Sequence, residues 1–102
     1  MAVLQFDPVR MGEFCKKWKV AEFAIFGSAL RADFGPDSDV DVLVTFKPDS
    51  KWSLFDLVQM EEELKGMIGR EVDLVTRPGI EASRNYLRRN AILSSAKVLY
   101  AA

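Results

Sequence analysis

Three carboxylates stand inside segments that otherwise read as hydrophobic core, and nothing else restricts the chain so strongly. Asp39 and Asp41 flank Val40 in Ser38-Asp39-Val40-Asp41-Val42, and Asp73 lies between Val72 and Leu74, 32 residues after Asp41. Upstream, the apolar run ending at Phe26 closes on Gly27-Ser28. Side chains two apart on a strand point the same way, so Asp39 and Asp41 project together while Val40, Val42 and Val44 supply the opposite face. Two like charges this close repel, and partial burial makes each ion costlier. Bound cations relieve both problems.

The segments around these acids alternate between helix and strand. Val9, Phe14 and Trp18 at roughly helical spacing predict a short helix over 9–18. Residues 21–26 read as a strand stopped by Gly27-Ser28, residues 29–34 as a brief helical turn, and Gly35-Pro36-Asp37-Ser38 as a loop. Residues 40–46 are β-branched and almost continuously apolar, the pattern of a strand covered on both faces. Ser53 with Asp56 three residues on forms a capping-box arrangement. Beyond it Leu57, Leu64 and Ile68, widened by Leu54, Val58, Met60 and Met67, carry the longest helix as far as Gly69. Residues 71–76 form a third expected strand, stopped by Pro78-Gly79, and the chain from Ile80 to the end reads as helix, with Leu87, Ile92, Leu93, Ala96, Val98 and Leu99 available for packing. The expected order is α-β-α-β-α-β-α. It describes an α/β (α+β) fold, a small mixed β-sheet covered by helices, in one domain over residues 1–102.

Composition narrows the function. Net charge is −1 and the pI is near 5.4, without the basic excess of a protein that wraps nucleic acid, so there is no strong nucleic-acid signal. A single cysteine, Cys15, excludes an internal disulfide framework and suits a reducing compartment. No run approaches a membrane span, and MAVLQFDPVRM lacks the basic, apolar and small-residue regions of a secretion signal. A cytoplasmic protein without membrane contact is expected. The chain contains no histidine, which excludes histidine general-base chemistry and histidine-ligated zinc.

What remains is carboxylate chemistry. Mg²⁺ prefers oxygen ligands and commonly takes one or two protein carboxylates together with phosphates and water. Asp39 and Asp41 suit bridging two such ions, and Asp73 reaches the same place if its strand neighbours theirs. Asp73 is then the candidate proton acceptor. Gly27 permits close backbone approach or a positive φ, while the Ser28 hydroxyl and the amides that follow suit a phosphate. Arg31, one turn further, has directed donors for a terminal phosphate. The loop is not a Walker motif, since GxxxxGK[ST] is absent. These groups fit in-line displacement at the α-phosphate of a nucleoside triphosphate, with release of pyrophosphate.

Other conspicuous residues have plainer readings. Cys15 reads as a structural thiol, Trp18 and Trp52 as packing residues, and Glu61-Glu62-Glu63 as a solvated helix face. Arg84, Arg88 and Arg89 read as a solvated face, with substrate phosphate or a protein partner as the alternative.

FGSALRADFGPDSDVDVLV (26–44) and EVDLV (71–75) together resemble the minimal nucleotidyltransferases of the polymerase-β-like superfamily, whose pattern is a Gly-Ser turn, an Asp-x-Asp and a third Asp on a later strand. The FCKKWKVAEFAIFGS segment and a C-terminal helix ending VLYAA extend the similarity over nearly the whole chain. The resemblance implies that Gly27 and Ser28 form the triphosphate-binding turn, that Asp39 and Asp41 are paired metal ligands, and that Asp73 is the third carboxylate. Where many members have Arg-Gly after the turn, this chain has Arg31-Ala32, which removes no metal ligand. The resemblance further implies ATP as substrate, two Mg²⁺ ions, and a HEPN-domain toxin as partner, neutralised by transfer of AMP to a tyrosine hydroxyl. Transfer to a small molecule or an RNA end, and inhibition by binding alone, stay open as alternatives.

Overall fold

A computed structural model describes residues 7–27 and 39–101. Helix α1 spans Pro8–Lys17. Asp7 caps it, its side chain accepting from the Val9 amide at 2.9 Å, and Pro8 occupies the first turn, where a missing N–H costs nothing. Lys16 and Lys17 end the helix at its negative pole. The buried stripe runs through Met11, Phe14, Cys15 and Trp18, whereas Val9, expected to share it, is exposed.

Strands β1 (Val20–Phe26), β2 (Val40–Phe46), β3 (Val72–Thr76) and β4 (Lys97–Ala101) form one mixed sheet in the order β3-β2-β1-β4. β2 is antiparallel to β1 and parallel to β3, and β4 closes the other side of β1 in antiparallel register. A parallel pair requires a crossover, which helix α2 (Leu54–Ile68) supplies. The capping box at its start is complete: Ser53 Oγ accepts from the Asp56 amide at 3.3 Å, and the Ser53 amide donates to Asp56 Oδ2 at 2.9 Å. Gly69 ends it at φ 78°, the left-handed conformation a non-glycine residue resists. Met60 and Leu64 are fully buried, while Leu54 and Val58, expected to widen the apolar stripe, face outward.

The C-terminal third departs from the expected single helix. It folds as a short helix α3 (Arg77–Glu81), a second helix α4 (Tyr86–Ser95) and strand β4. Ala96 turns the backbone to ψ 132°, and Val98 and Tyr100 then pair with Ala24 and Phe23. A β1 left as an edge would expose a row of unpaired N–H and C=O groups, and β4 satisfies them. Tertiary pairing overrides the helical reading of Leu99 and its neighbours. Leu87, counted above as a packing residue, is exposed.

Two cores flank the sheet. On one face Val40, Val42, Val44, Phe23 and Ile25 pack against α1 and α2. On the other, Ala24, Phe26 and Leu43 meet Ile80 of α3 and Ile92 of α4. Glu63, placed by sequence on a solvated face, instead joins the first layer together: it accepts from Lys17 Nζ at 2.9 Å and from Trp18 Nε1 at 3.1 Å. Trp18 and Trp52 do act as packing residues, meeting edge to face at 5.1 Å, with Trp52 Nε1 donating to the Trp18 carbonyl at 2.9 Å.

Candidate active site

β2 presents its valines to the larger core and its aspartates to the opposite face. Val40, Val42 and Val44 are fully buried, and the two-residue repeat turns Asp41 toward the side that Leu43 shares with α3 and α4. Asp39 immediately precedes the strand and is exposed, and Asp41 is half-buried. On β3, Asp73 is the Cα partner of Asp41 in the parallel ladder, so the third carboxylate arrives beside the pair as the sequence led us to expect. Phe26 of β1 partners Asp41 from the other side. A row Phe26–Asp41–Asp73 therefore crosses three strands, with Gly27 following directly at its end.

Gly27 meets both demands that reserve a position for glycine. Its φ is 66°, and a Cβ built there would run into Asp41 Oδ2. Gly27 thus lies directly against the Asp41 carboxylate and gives that oxygen its space. Ser28 and Arg31, the other expected phosphate-binding residues, lie outside the described residues.

A cleft of about 250 Å³ opens at this row, lined by Phe26, Gly27 and Asp41 from the sheet and by Arg88, Ala91, Ile92 and Ser95 from α4. The four helix positions are three, four and seven residues apart from Arg88, a single face of α4. From sequence, Arg88 reads as part of a solvated face, with substrate phosphate or a protein partner as the alternative. The periodicity 88/91/92/95 was the available signal, but it becomes informative only once α4 is known to pack beside Phe26. Arg89 has a structural task, donating from Nη1 to the carbonyls of Glu81 and Ser83 at 3.3 and 3.4 Å, and Arg84 is exposed.

The electrostatics separate candidates from bystanders. Burial pushes the Cys15 thiol up to about 11, which makes it a poor nucleophile at neutral pH. The Glu61 carboxyl on α2 is raised, first by burial and, against the pull of Lys65, also by the nearby charges of Asp73, Glu62 and Glu71. Among the described residues no three Asp, Glu or Cys side chains gather closely enough to hold a metal ion unaided. A Mg²⁺ ion that shares its coordination with nucleotide phosphates and water does not need such a group.

Comparison with known proteins decides the family. Residues 11–99 match the nucleotidyltransferase domain. The chain belongs to that family. It is a nucleotidyltransferase, and the Gly27 turn with its facing aspartates lies within the matched span. One relative, the protein adenylyltransferase MntA of Thermococcus cleftensis, is 36% identical over 70 residues, 69% of either chain. Among solved structures, a toxin–antitoxin with AMP-PNP matches with a TM-score of 0.69 at 17% identity, covering 92% of this chain and 73% of that one. A complex of a tri-AMPylated Shewanella oneidensis HEPN toxin with its MNT antitoxin matches with a TM-score of 0.59 at 16% identity, covering 92% and 69%. At these identities the structural likeness speaks for the fold. No helix among the described residues is long and apolar enough to cross a membrane.

Proposed function

We propose that this nucleotidyltransferase is a Mg²⁺-dependent protein adenylyltransferase, an antitoxin that moves AMP from ATP to a tyrosine hydroxyl of a HEPN ribonuclease in the cytoplasm. The observation that carries the reading is the row Phe26–Asp41–Asp73 with Gly27 folded against Asp41. It combines carboxylates on two adjacent strands with a glycine at the end of a third, beside a cleft. The named activity of the Thermococcus relative and the AMPylated toxin in the Shewanella complex support protein hydroxyl as acceptor, and the toxin–antitoxin structure with AMP-PNP supports ATP as donor.

The donor set suits magnesium: aspartate oxygens, no histidine anywhere in the chain, and a lone cysteine that is buried on the far side of the sheet. Asp39, Asp41 and Asp73 would hold two ions. Bound there, Mg²⁺ neutralises phosphate charge and lowers the pKa of an acceptor hydroxyl. The chain's own groups have the remaining tasks. Gly27 lets the backbone approach the triphosphate, with Ser28 and Arg31 as the expected donors to it. Asp73, exposed at the edge of the row, would take the proton of the attacking hydroxyl. The acceptor oxygen forms its bond to the α-phosphorus, the bond from that phosphorus to the bridging oxygen breaks, and pyrophosphate leaves.

The test is incubation of the purified protein with Mg²⁺, its candidate HEPN-domain partner, and ATP labelled at the α- or γ-phosphate in parallel reactions. Transfer of α-label without γ-label to the partner's tyrosine is expected. A stable complex that binds ATP but transfers neither label would replace catalysis with inhibition by binding.

A further inference from the structure

The cleft beside Asp41 has one wall of carboxylate and glycine and another wall from α4, and the polar reach of the second wall comes from Arg88 and Ser95. Ser95 is occupied, its hydroxyl donating to the Ala91 carbonyl at 2.5 Å. Arg88 differs from Arg77 and Arg89. Arg77 pairs with Glu22 and Glu81, and Arg89 is committed to two backbone carbonyls. Among the described residues the Arg88 guanidinium makes no ion pair and no hydrogen bond, although its backbone is fixed by the Asn85 side chain, which accepts from its amide at 3.1 Å. The result is a cation on an anchored helix turn, facing a half-buried aspartate across a space of about 250 Å³ without closing on it.

The Arg88 side of the cleft is suited to an anion. Resting on the nucleotidyltransferase reading above, the geometry points to Arg88 as a residue that binds the phosphate chain of the nucleotide, reaching it from the α4 side while the Gly27 turn approaches from the sheet. A guanidinium presents several directed N–H donors and cannot lose its charge at working pH, so it can hold two non-bridging oxygens of a polyphosphate at once. Its positive charge also offsets part of the negative charge that a triphosphate brings to the cleft. Arg88 binds phosphate, and the base does not depend on it.

Binding of a non-hydrolysable ATP analogue and of adenosine tests this by calorimetry, with wild type, Arg88→Gln, Arg88→Lys and Arg84→Gln compared at matched salt. Arg88→Gln should weaken the analogue by about tenfold to a hundredfold, the usual worth of a charge-assisted contact, and leave adenosine unchanged. Arg88→Lys should recover part of the loss, since it keeps the charge without the fork. Arg84→Gln, ahead of the α4 N-cap and outside the cleft lining, should bind as wild type does. Far-UV circular dichroism and the thermal midpoint confirm that each variant is folded. Equal analogue affinity in wild type and Arg88→Gln would overturn the assignment and leave the nucleotidyltransferase reading standing, as would equal losses of analogue and adenosine. A wild-type protein that fails to bind the analogue would instead remove the reading on which the assignment rests.

Discussion

The two faces of the sheet are built from the same strands and do different work. Toward α1 and α2, alternate residues of β2 are Val40, Val42 and Val44, all fully buried with Phe23, Met60 and Leu64 in a continuous layer. Toward α3 and α4, the same strand offers Asp41 and Leu43, and the buried layer is thinner: Ala24, Phe26, Leu43, Ile80 and Ile92. The first face carries the larger buried layer, and the second leaves a cleft at its edge beside Asp41. The period of two in a β-strand makes this division possible. A strand anchored through its valines can hold the half-buried Asp41 on its reverse side, because the first face supplies the stability.

The sharpest way to separate the faces is Asp41→Asn, which keeps the shape of the side chain and removes its charge. We expect AMP transfer to fall by about a thousandfold or more, in line with the several kcal/mol that metal-assisted charge stabilisation supplies, with the fold retained in thermal melts. Leu64→Ala should do the converse. It empties a fully buried position in the larger core and should cost about 2–5 kcal/mol in denaturant unfolding, while the specific activity of the fraction that remains folded stays near wild type. Gly27→Ala tests the boundary between the two. The left-handed φ alone costs about 1–2 kcal/mol in a non-glycine residue, and the added methyl displaces the Asp41 carboxylate. Both stability and transfer should therefore drop, stability by less than in Leu64→Ala and transfer by less than in Asp41→Asn. Loss of transfer in Leu64→Ala at full folding would break the division of labour outright.

Much of this division was legible in the sequence, because it is written in short-range patterns. Alternation of valine and aspartate in 39–44 gives both faces of β2, the Ser53–Asp56 spacing gives the start of α2, and Gly69 gives its end. The parallel register that brings Asp73 beside Asp41 required only that β2 and β3 be neighbours. The C-terminal third was misread for a physical reason. Residues 96–101 contain alanine, leucine and lysine, which are compatible with a helix, and what makes them a strand is the open edge of β1, far away in sequence. The same misreading hid the cleft, because the face of α4 that carries Arg88 acquires meaning only when α4 ends at Ser95 and packs over Phe26. Glu63 was obscure in the same way: a three-glutamate run looks solvated until Lys17 and Trp18 are brought to it by tertiary packing.

The most direct measurement is an amide NMR titration of the ¹⁵N-labelled protein with Mg²⁺ and a non-hydrolysable ATP analogue. Shifts are expected at Gly27, Asp39, Asp41, Asp73 and Arg88, with Phe14, Met60 and Leu64 unmoved. A second opening of about 390 Å³, at the far ends of β2 and β3 beside Phe46, Trp52 and Thr76, gives the titration a built-in rival site. Shifts confined to Phe46, Trp52 and Thr76, with Gly27 and Asp41 silent, would contradict the placement of the nucleotide and with it the central claim.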